Sequence, residues 1–414
     1  MKINWFSPFP RAMTDVARYT CEVVTQMREM CEVVAWTGQA DIDSSLCGGV
    51  HIRRFAVDSV PWAEINRADI SVFNLGNNHQ FHGDIWQLAR RHPGLIVLHD
   101  LSMHHFFDAL YRTQLRRKDL YVEVMRRYYG NQAAERADEN FGKKGSMNDE
   151  LSQMYPLTEH ALENATGVLV HNKANAHTLQ SAMSVPVVNA PLPFRARLAG
   201  RERNGNTRGG SPCRLVMFGH LGTNRRIDKV LLALSEMPER EQFRLHVYGS
   251  TKGCKLDITS ECSRLNLRHV HVHGFVPEDE LERALKSSDL GINLRYPTMG
   301  EASGVQLRLW SHALPSLVTP IGWYASLPVG TVGYVRPDEN EVADIQAHLR
   351  GYLRDPEPFV KMGSLGEAEV REKHSPRACA EAILEAAVLS RSNLRNFFAR
   401  RLAEHAASVV DGWR

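Results

Sequence analysis

Short apolar runs, many of them rich in Val, Ile and Leu, alternate with segments of helical period along the whole chain. In the first half the runs are Ile3–Phe6, Glu32–Trp36, His51–Phe55, Ile70–Leu75, Leu95–Leu98, Gly167–Val170 and Pro186–Asn189. In the second half they are Arg214–Phe218, Phe243–Tyr248, Val270–His273, Leu290–Leu294, Ser316–Thr319 and Val332–Val335. A near-continuous apolar strand is buried on both faces, and parallel neighbours need helical crossovers between them. The pattern therefore predicts an α/β protein of two doubly wound, parallel-sheet, Rossmann-like domains facing a central cleft.

The series breaks at residues 196–211, a Gly-, Arg- and Asn-rich stretch with almost no large apolar side chain, which reads as an exposed linker. It separates an N-terminal domain over 1–195 from a C-terminal domain over 212–385. At 414 residues the chain is too long for a single core. Residues from about 112 to 160 are polar and helix-prone without a strand-like run, as in a helical insertion. Residues 386–414 read as a helical tail, and Asn393–Leu402 is basic and amphipathic. Such a helix packs back on the protein or, on the sharper reading, lies on a membrane surface.

Composition narrows the class. With 43% hydrophobic and 23% charged residues the chain is an ordinary globular protein. A net charge of +3, spread out and not interleaved with aromatics, excludes a nucleic-acid platform. The seven cysteines are scattered, odd in number and without a C-x-x-C pair, so free thiols in a reducing cytoplasm are expected. No run approaches the roughly 18 apolar residues of a membrane span.

Candidate chemistry follows the strand-like runs, where open parallel sheets bind ligands. Gly222 and the pair Arg225–Arg226 precede a helix starting at Ile227. Two guanidiniums there suit a diphosphate, and cations at this helix end oppose its dipole, unlike an ordinary solvated pair. Gly300-Glu301-Ala302-Ser303-Gly304 leads into another helix-compatible segment. Glu301 can orient sugar hydroxyls while the N–H groups of Ser303 and Gly304 receive phosphate, although a surface carboxylate at a helix start fits equally. In the first domain, His99 and Asp100 end a buried run and can contact a transferred sugar or an acceptor hydroxyl. Asn77 and Asn78 bond saccharide hydroxyls or simply satisfy a turn. The spacing of His99, His104 and His105 does not make a metal site, and none is expected elsewhere. The loop after Phe6 lacks G-x-G-x-x-G, and no P-loop or nucleophile elbow occurs, which argues against dinucleotide, NTPase and α/β-hydrolase chemistry.

FGHLGTNRRIDKVLLAL, VHVHGFVPEDELERALKSSDLGINL and PTMGEASGVQLRLWSHALPSLVTPIGWYASLP, in this order, resemble the family-4 retaining glycosyltransferases of GT-B fold. The likeness is strongest over Arg214–Pro337. It implies that Arg225 and Arg226 grip a donor diphosphate and that Phe275 and Val276 line the base. It also implies that His99 and Glu301 contact the donor sugar. The family's second glutamate, separated from the first by seven intervening residues, falls on Leu309, or on Arg308 after a one-residue deletion, and neither is a carboxylate. The pattern E-x-S-G followed by Gly-Trp-Tyr and a proline also resembles branches of this family.

The resemblance implies retaining transfer of a hexose-type sugar from a nucleotide-diphosphate donor, UDP or GDP, to a glycan or lipid-linked saccharide. Catalysis would rest on Glu301, His99 and Arg226 with no metal or further cofactor, Arg225 and Arg226 supplying the positive charge. The enzyme would work in the cytoplasm, with a peripheral contact at the inner membrane face through the basic tail. Two rivals are a sugar-nucleotide epimerase of the same fold and a non-catalytic nucleotide-sugar-binding scaffold.

Overall fold

The computed structural model describes residues 1–141, 149–195, 212–251 and 254–411; the expected linker at 196–211 lies outside them. The chain forms two compact units. The first comprises Met1–Pro193, Met299–Ala302 and Pro376–Arg414, the second Phe194–Thr298 and Ser303–Ser375.

The first unit is built on strands β1 (Lys2–Phe6), β2 (Glu32–Thr37), β3 (Ile52–Arg54), β4 (Ile70–Leu75), β5 (Gly94–Leu98), β6 (Ala165–Val170) and β7 (Val187–Asn189). They form a seven-stranded sheet in the order β3-β2-β1-β4-β5-β6-β7, with every pairing parallel. Both faces carry apolar side chains, as the unbroken runs require. Phe6, Phe73, Ile96 and Val168 face one core with Trp86 and Phe106, whereas Ile3, Trp5, Val72, Val97 and Leu169 face another. Helices Lys118–Tyr129, Asn131–Asn140, Asp149–Met154 and Thr158–Ala161 fill the connection from β5 to β6.

One helix, Pro376–Asp411, covers the second core with Cys379, Ala380, Ile383, Ala386 and Ala387. The sequence divides this segment at 385 between the second domain and a tail. In the structure it is continuous and belongs to the first unit, because small residues on one face pack against the sheet. At Gly167 a side chain would meet Ser390 Cβ at 2.9 Å, so the helix crosses β6 closely. The cysteine expectation is also corrected: Cys21, on helix Asp15–Met27, forms a disulfide with Cys47 across 26 residues. The fold brings these two together without any local spacing to signal it. Cys31, Cys213, Cys254, Cys262 and Cys379 are free.

The second unit holds β8 (Cys213–Phe218), β9 (Phe243–Tyr248), β10 (Val270–Gly274), β11 (Leu290–Asn293), β12 (Ser316–Val318) and β13 (Gly333–Tyr334). Its six strands run parallel in the order β10-β9-β8-β11-β12-β13. Leu215, Met217, Leu245, Ile292 and Leu317 bury one face under helices Ile227–Glu236 and Glu341–Arg354. Val216, Phe218, Leu309 and Leu314 form a smaller core on the other face. Among the described residues no helix is long and apolar enough to cross a membrane.

Candidate functional site

Each sheet has one point where strand order reverses, between β1 and β4 in the first unit and between β8 and β11 in the second. Ligands of open parallel sheets bind outside the carboxyl ends of the strands at this point. Both points are marked in the same way, by a fully buried asparagine in a largely apolar strand. Asn74 near the end of β4 donates from Nδ2 to the Phe6 carbonyl at 3.1 Å. Asn293, the last residue of β11, receives a guanidinium that also donates to the Phe218 carbonyl.

In the first unit Asn74 sits among histidines. Its Oδ1 lies 3.2 Å from His99 Nε2, and its carbonyl 2.9 Å from His82 Nδ1. Because the Asn74 amide nitrogen already donates to Phe6, the His99 contact fits Nε2 as the donor. The His99 ring packs edge-on to Tyr19 and lies 5.5 Å from the His171 ring. Burial, then His171 and His82, hold the His99 pKa well below its ordinary value, so the ring is neutral at pH 7. Asp100 accepts from the Asn77 N–H at 2.7 Å, and Asn77 Oδ1 accepts from the Phe106 N–H at 2.8 Å. Asn78 caps helix His79–Ala89, its Oδ1 accepting from Gln80 N–H at 3.0 Å. The turn reading thus describes the Asn77 and Asn78 side chains as they stand.

The loop carrying Glu301 is part of this unit, not of the second as its sequence position suggests. The Met299 carbonyl accepts from the N–H groups of Leu101 at 2.8 Å and Ser102 at 3.0 Å. Asn175 Nδ2 donates to the Gly300 carbonyl at 2.6 Å. Gly300 has φ +83°, and a Cβ there would approach that of Leu101 to 2.6 Å, so only glycine lets the loop seat here. Glu301 folds back to accept from its own Met299 N–H at 2.8 Å. The segment next to His99 and Asp100 therefore also holds Glu301.

His82 and His104 are buried, and burial pushes both pKa values down to about 4. His104 is an internal residue, with Nδ1 on the Tyr155 carbonyl at 2.7 Å and Nε2 on Tyr121 Oη at 3.0 Å. Unfolded, each ring titrates near 6.5, so the unfolded chain takes up protons first as pH falls. The stability each contributes is complete above pH 6.5 and is lost progressively toward pH 4. Urea unfolding should show a loss of about 3 kcal/mol per histidine across that window, with a shallower slope in His82→Asn. An unfolding free energy independent of pH from 6.5 to 4 would contradict the burial of both rings.

In the second unit Arg225 is 1% exposed. It donates from Nη1 to Asn293 Oδ1 at 2.8 Å and from Nη2 to the Phe218 carbonyl at 3.0 Å. Asn293 in turn donates to Gln306 Oε1 at 3.0 Å, and Gln306 Nε2 to Ser316 Oγ at 2.6 Å. Ser303 Oγ caps helix Gly304–Ser311 by accepting from Gln306 N–H at 3.1 Å. One buried polar network thus fixes Arg225 beside a helix N-terminus, where backbone donors and positive dipole favour an anion. His220, directly after β8, joins the group. Burial first, then Arg295 and Arg225, lower its pKa.

Arg226 points elsewhere. It sits at φ +56° and makes a bidentate contact with Glu341, Nε to Oε1 at 3.0 Å and Nη2 to Oε2 at 2.5 Å. Glu341 is 1% exposed, and such a buried acid requires its partner. The guanidinium also lies 5.8 Å from the Tyr296 ring centroid. Gly222 begins the tight turn Thr223–Arg225 that delivers both arginines. After β10, Phe275 is 73% exposed while Val276 packs against the smaller core.

Leu309 is buried in that core, against Gly291. Arg308 reaches Glu278 and Glu282 at 2.6 Å each, and Glu282 also accepts from His312 Nε2 at 2.8 Å. No group of histidines, cysteines and acids among the described residues could hold a metal ion. The D-x-D spacing of Asp41 and Asp43 has other uses: Asp41 pairs with Arg11, and Asp43 caps the turn Ser44–Cys47.

Sequence reasoning missed Asn74, His82 and His171 around His99, and Asn293, Gln306, His220 and Arg295 around Arg225. A lone asparagine inside an apolar run, and a histidine directly after one, were the available signals. Glu341 had no local signal, lying 115 residues from Arg226.

No family model and no curated protein matches the chain. Solved structures do. HepE of Anabaena in complex with UDP and glucose superposes with a TM-score of 0.60 at 13% identity, covering 93% of this chain and 98% of that one. Sucrose-phosphate synthase of Thermosynechococcus elongatus gives 0.61 at 14% identity, covering 97% and 100%. WaaG, a glycosyltransferase involved in lipopolysaccharide biosynthesis, gives 0.55 at 14% identity, covering 92% and 99%. The fold is GT-B. At this identity the likeness speaks for fold alone, and the GT-B sheets are those described above.

Proposed function

We propose that the protein is a retaining glycosyltransferase that moves a hexose-type sugar from a UDP- or GDP-linked donor to a glycan or lipid-linked saccharide in polysaccharide assembly. The observation that carries this reading is Arg225, a buried guanidinium at a strand-order reversal, held beside the N-terminus of helix Gly304–Ser311. A fixed cation next to free helix donors suits a diphosphate, and it needs no reorganisation as charge builds on the leaving group. His220 and Arg295 add to the field. Arg226 acts through Glu341, holding the turn that presents Arg225.

Phe275 offers an exposed ring to the base, with Val276 behind it. In the first unit, His99 and Glu301 take hydroxyls of the donor sugar, and the loops of Asn77, Asn78 and Asp100 meet the acceptor. With positive charge supplied by side chains and a helix end, transfer proceeds without a metal ion. Support from the solved structures is coarse: the HepE crystals contain UDP and glucose, and WaaG is described as a lipopolysaccharide glycosyltransferase. The reading carries with it an enzyme working close to a membrane face.

Thermal unfolding in the presence of UDP, GDP, ADP or CMP, with and without EDTA, tests the donor half. A ligand bound only by the folded state stabilises it by about 2.7 kcal/mol at a hundredfold excess over Kd. A rise in midpoint with UDP or GDP, unchanged by EDTA, is expected. No rise with any nucleotide would overturn the transferase reading, and a rise abolished by EDTA would overturn metal independence.

A further inference from the structure

The outward face of the C-terminal helix has a composition its packing does not require. Val388, Arg391, Arg395, Phe398 and Leu402 are spaced three and four apart, so they line one stripe of helix Pro376–Asp411. Three of these are large apolar side chains that stand open, Val388 at 52%, Phe398 at 57% and Leu402 at 71% exposure. The adjoining side is committed to the first unit through Ile383, Ala387, Ser390 and Phe397, all buried. Ser390 Oγ meets Thr166 Oγ1 at 2.5 Å, and Arg400 Nη1 donates to Ser184 Oγ at 2.6 Å. The helix is thus anchored along this length, and the stripe faces out from a fixed support.

Charge decides what fits it. Between Glu385 and Glu404 the chain carries Arg391, Arg395, Arg400 and Arg401 and no acidic residue; Arg391 pairs with Asp69 at 2.9 Å and Arg400 is held at Ser184, so Arg395 is the cation the stripe offers. A second copy of the same face would oppose arginines to arginines, as a two-fold interface brings identical patches together. A surface of phosphates instead accepts both components, since arginine binds phosphate while Phe and Leu side chains sit among acyl chains at the headgroup boundary.

We propose that this face docks on an anionic phospholipid surface, with Phe398 and Leu402 entering the headgroup layer and Arg395 on a lipid phosphate. The test is co-sedimentation of the full chain with vesicles of phosphatidylcholine alone and of phosphatidylcholine mixed with phosphatidylglycerol. No nucleotide is present, so the result is independent of the donor test. Binding to the anionic vesicles should be at least about tenfold tighter and should weaken with added salt. The double variant Phe398→Ser, Leu402→Ser and, separately, Arg395→Glu should each lose about tenfold or more. These side chains are exposed, so parent-like thermal unfolding is expected for all of them. Equal binding to both vesicle types, binding to neither, or variants that sediment like the parent would overturn the proposal. So would a parent dimer that becomes a monomer in the double variant, which would show a second copy covering the patch.

Discussion

Replacing Arg225 by alanine is expected to lower kcat/KM for sugar transfer by about a thousandfold, the scale seen when a preorganised charge or oxyanion donor is removed. The guanidinium occupies the strand-order reversal of the second sheet, bonded to Asn293 and to the Phe218 carbonyl. Its loss removes a fixed positive charge from the expected diphosphate position. It also leaves a fully buried asparagine and carbonyl short of a partner, a cost of about 3 kcal/mol in unfolding free energy. Arg225→Lys separates the two effects. Lysine keeps the charge but cannot span both acceptors with planar donors, so part of the activity should return while most of the stability loss remains. Turnover followed by nucleotide release, together with urea unfolding of both variants, checks this. If Arg225→Ala is destabilised but turns over within a few fold of the parent, the guanidinium is a structural brace and the diphosphate lies elsewhere.

Most of the sheet was legible because burial on both faces writes central strands such as β5 and β6 as near-continuous apolar runs, and each of the thirteen described strands overlaps a run read from the sequence. What periodicity cannot convey is which unit a loop packs against. Glu301 follows β11 of the second unit, yet the Met299 carbonyl is bonded by Leu101 and Ser102, so the loop is held by the first. Nothing within a few residues of Glu301 encodes those bonds. The arginine pair shows the same limit. Adjacent guanidiniums look equivalent in sequence, but the positive φ of Arg226 turns it toward Glu341 while Arg225 enters the core. The buried networks centred on Asn74 and Asn293 were visible as polar interruptions of apolar strands. Their partners, His82, His171, Gln306 and Ser316, come from other elements and emerge only when the sheets assemble.

The position at which the resemblance would place a second glutamate makes the other large effect calculable. Leu309→Glu, the substitution that would match the paired-glutamate pattern by count, is expected to destabilise the protein by several kcal/mol and not to tighten nucleotide binding. Leu309 is 1% exposed among Val216, Phe218, Leu285 and Leu314, with its Cδ atoms against Gly291. Gly291 stands where a Cβ would come within 2.6 Å of Leu309, so the site has no room for the waters a carboxylate would need. An ionised glutamate there would be desolvated without a cation. Placing the acid one residue earlier meets a different obstacle, because Arg308 is the shared partner of Glu278 and Glu282. In Arg308→Glu three carboxylates would converge where one guanidinium now joins two, and His312 alone would remain to offset them. Urea unfolding of both variants beside UDP or GDP titration distinguishes the cases. A Leu309→Glu protein as stable as the parent, binding nucleotide more tightly, would mean that the helix Gly304–Ser311 turns this side chain toward the ligand and that Leu309 merely fills the family's ribose contact.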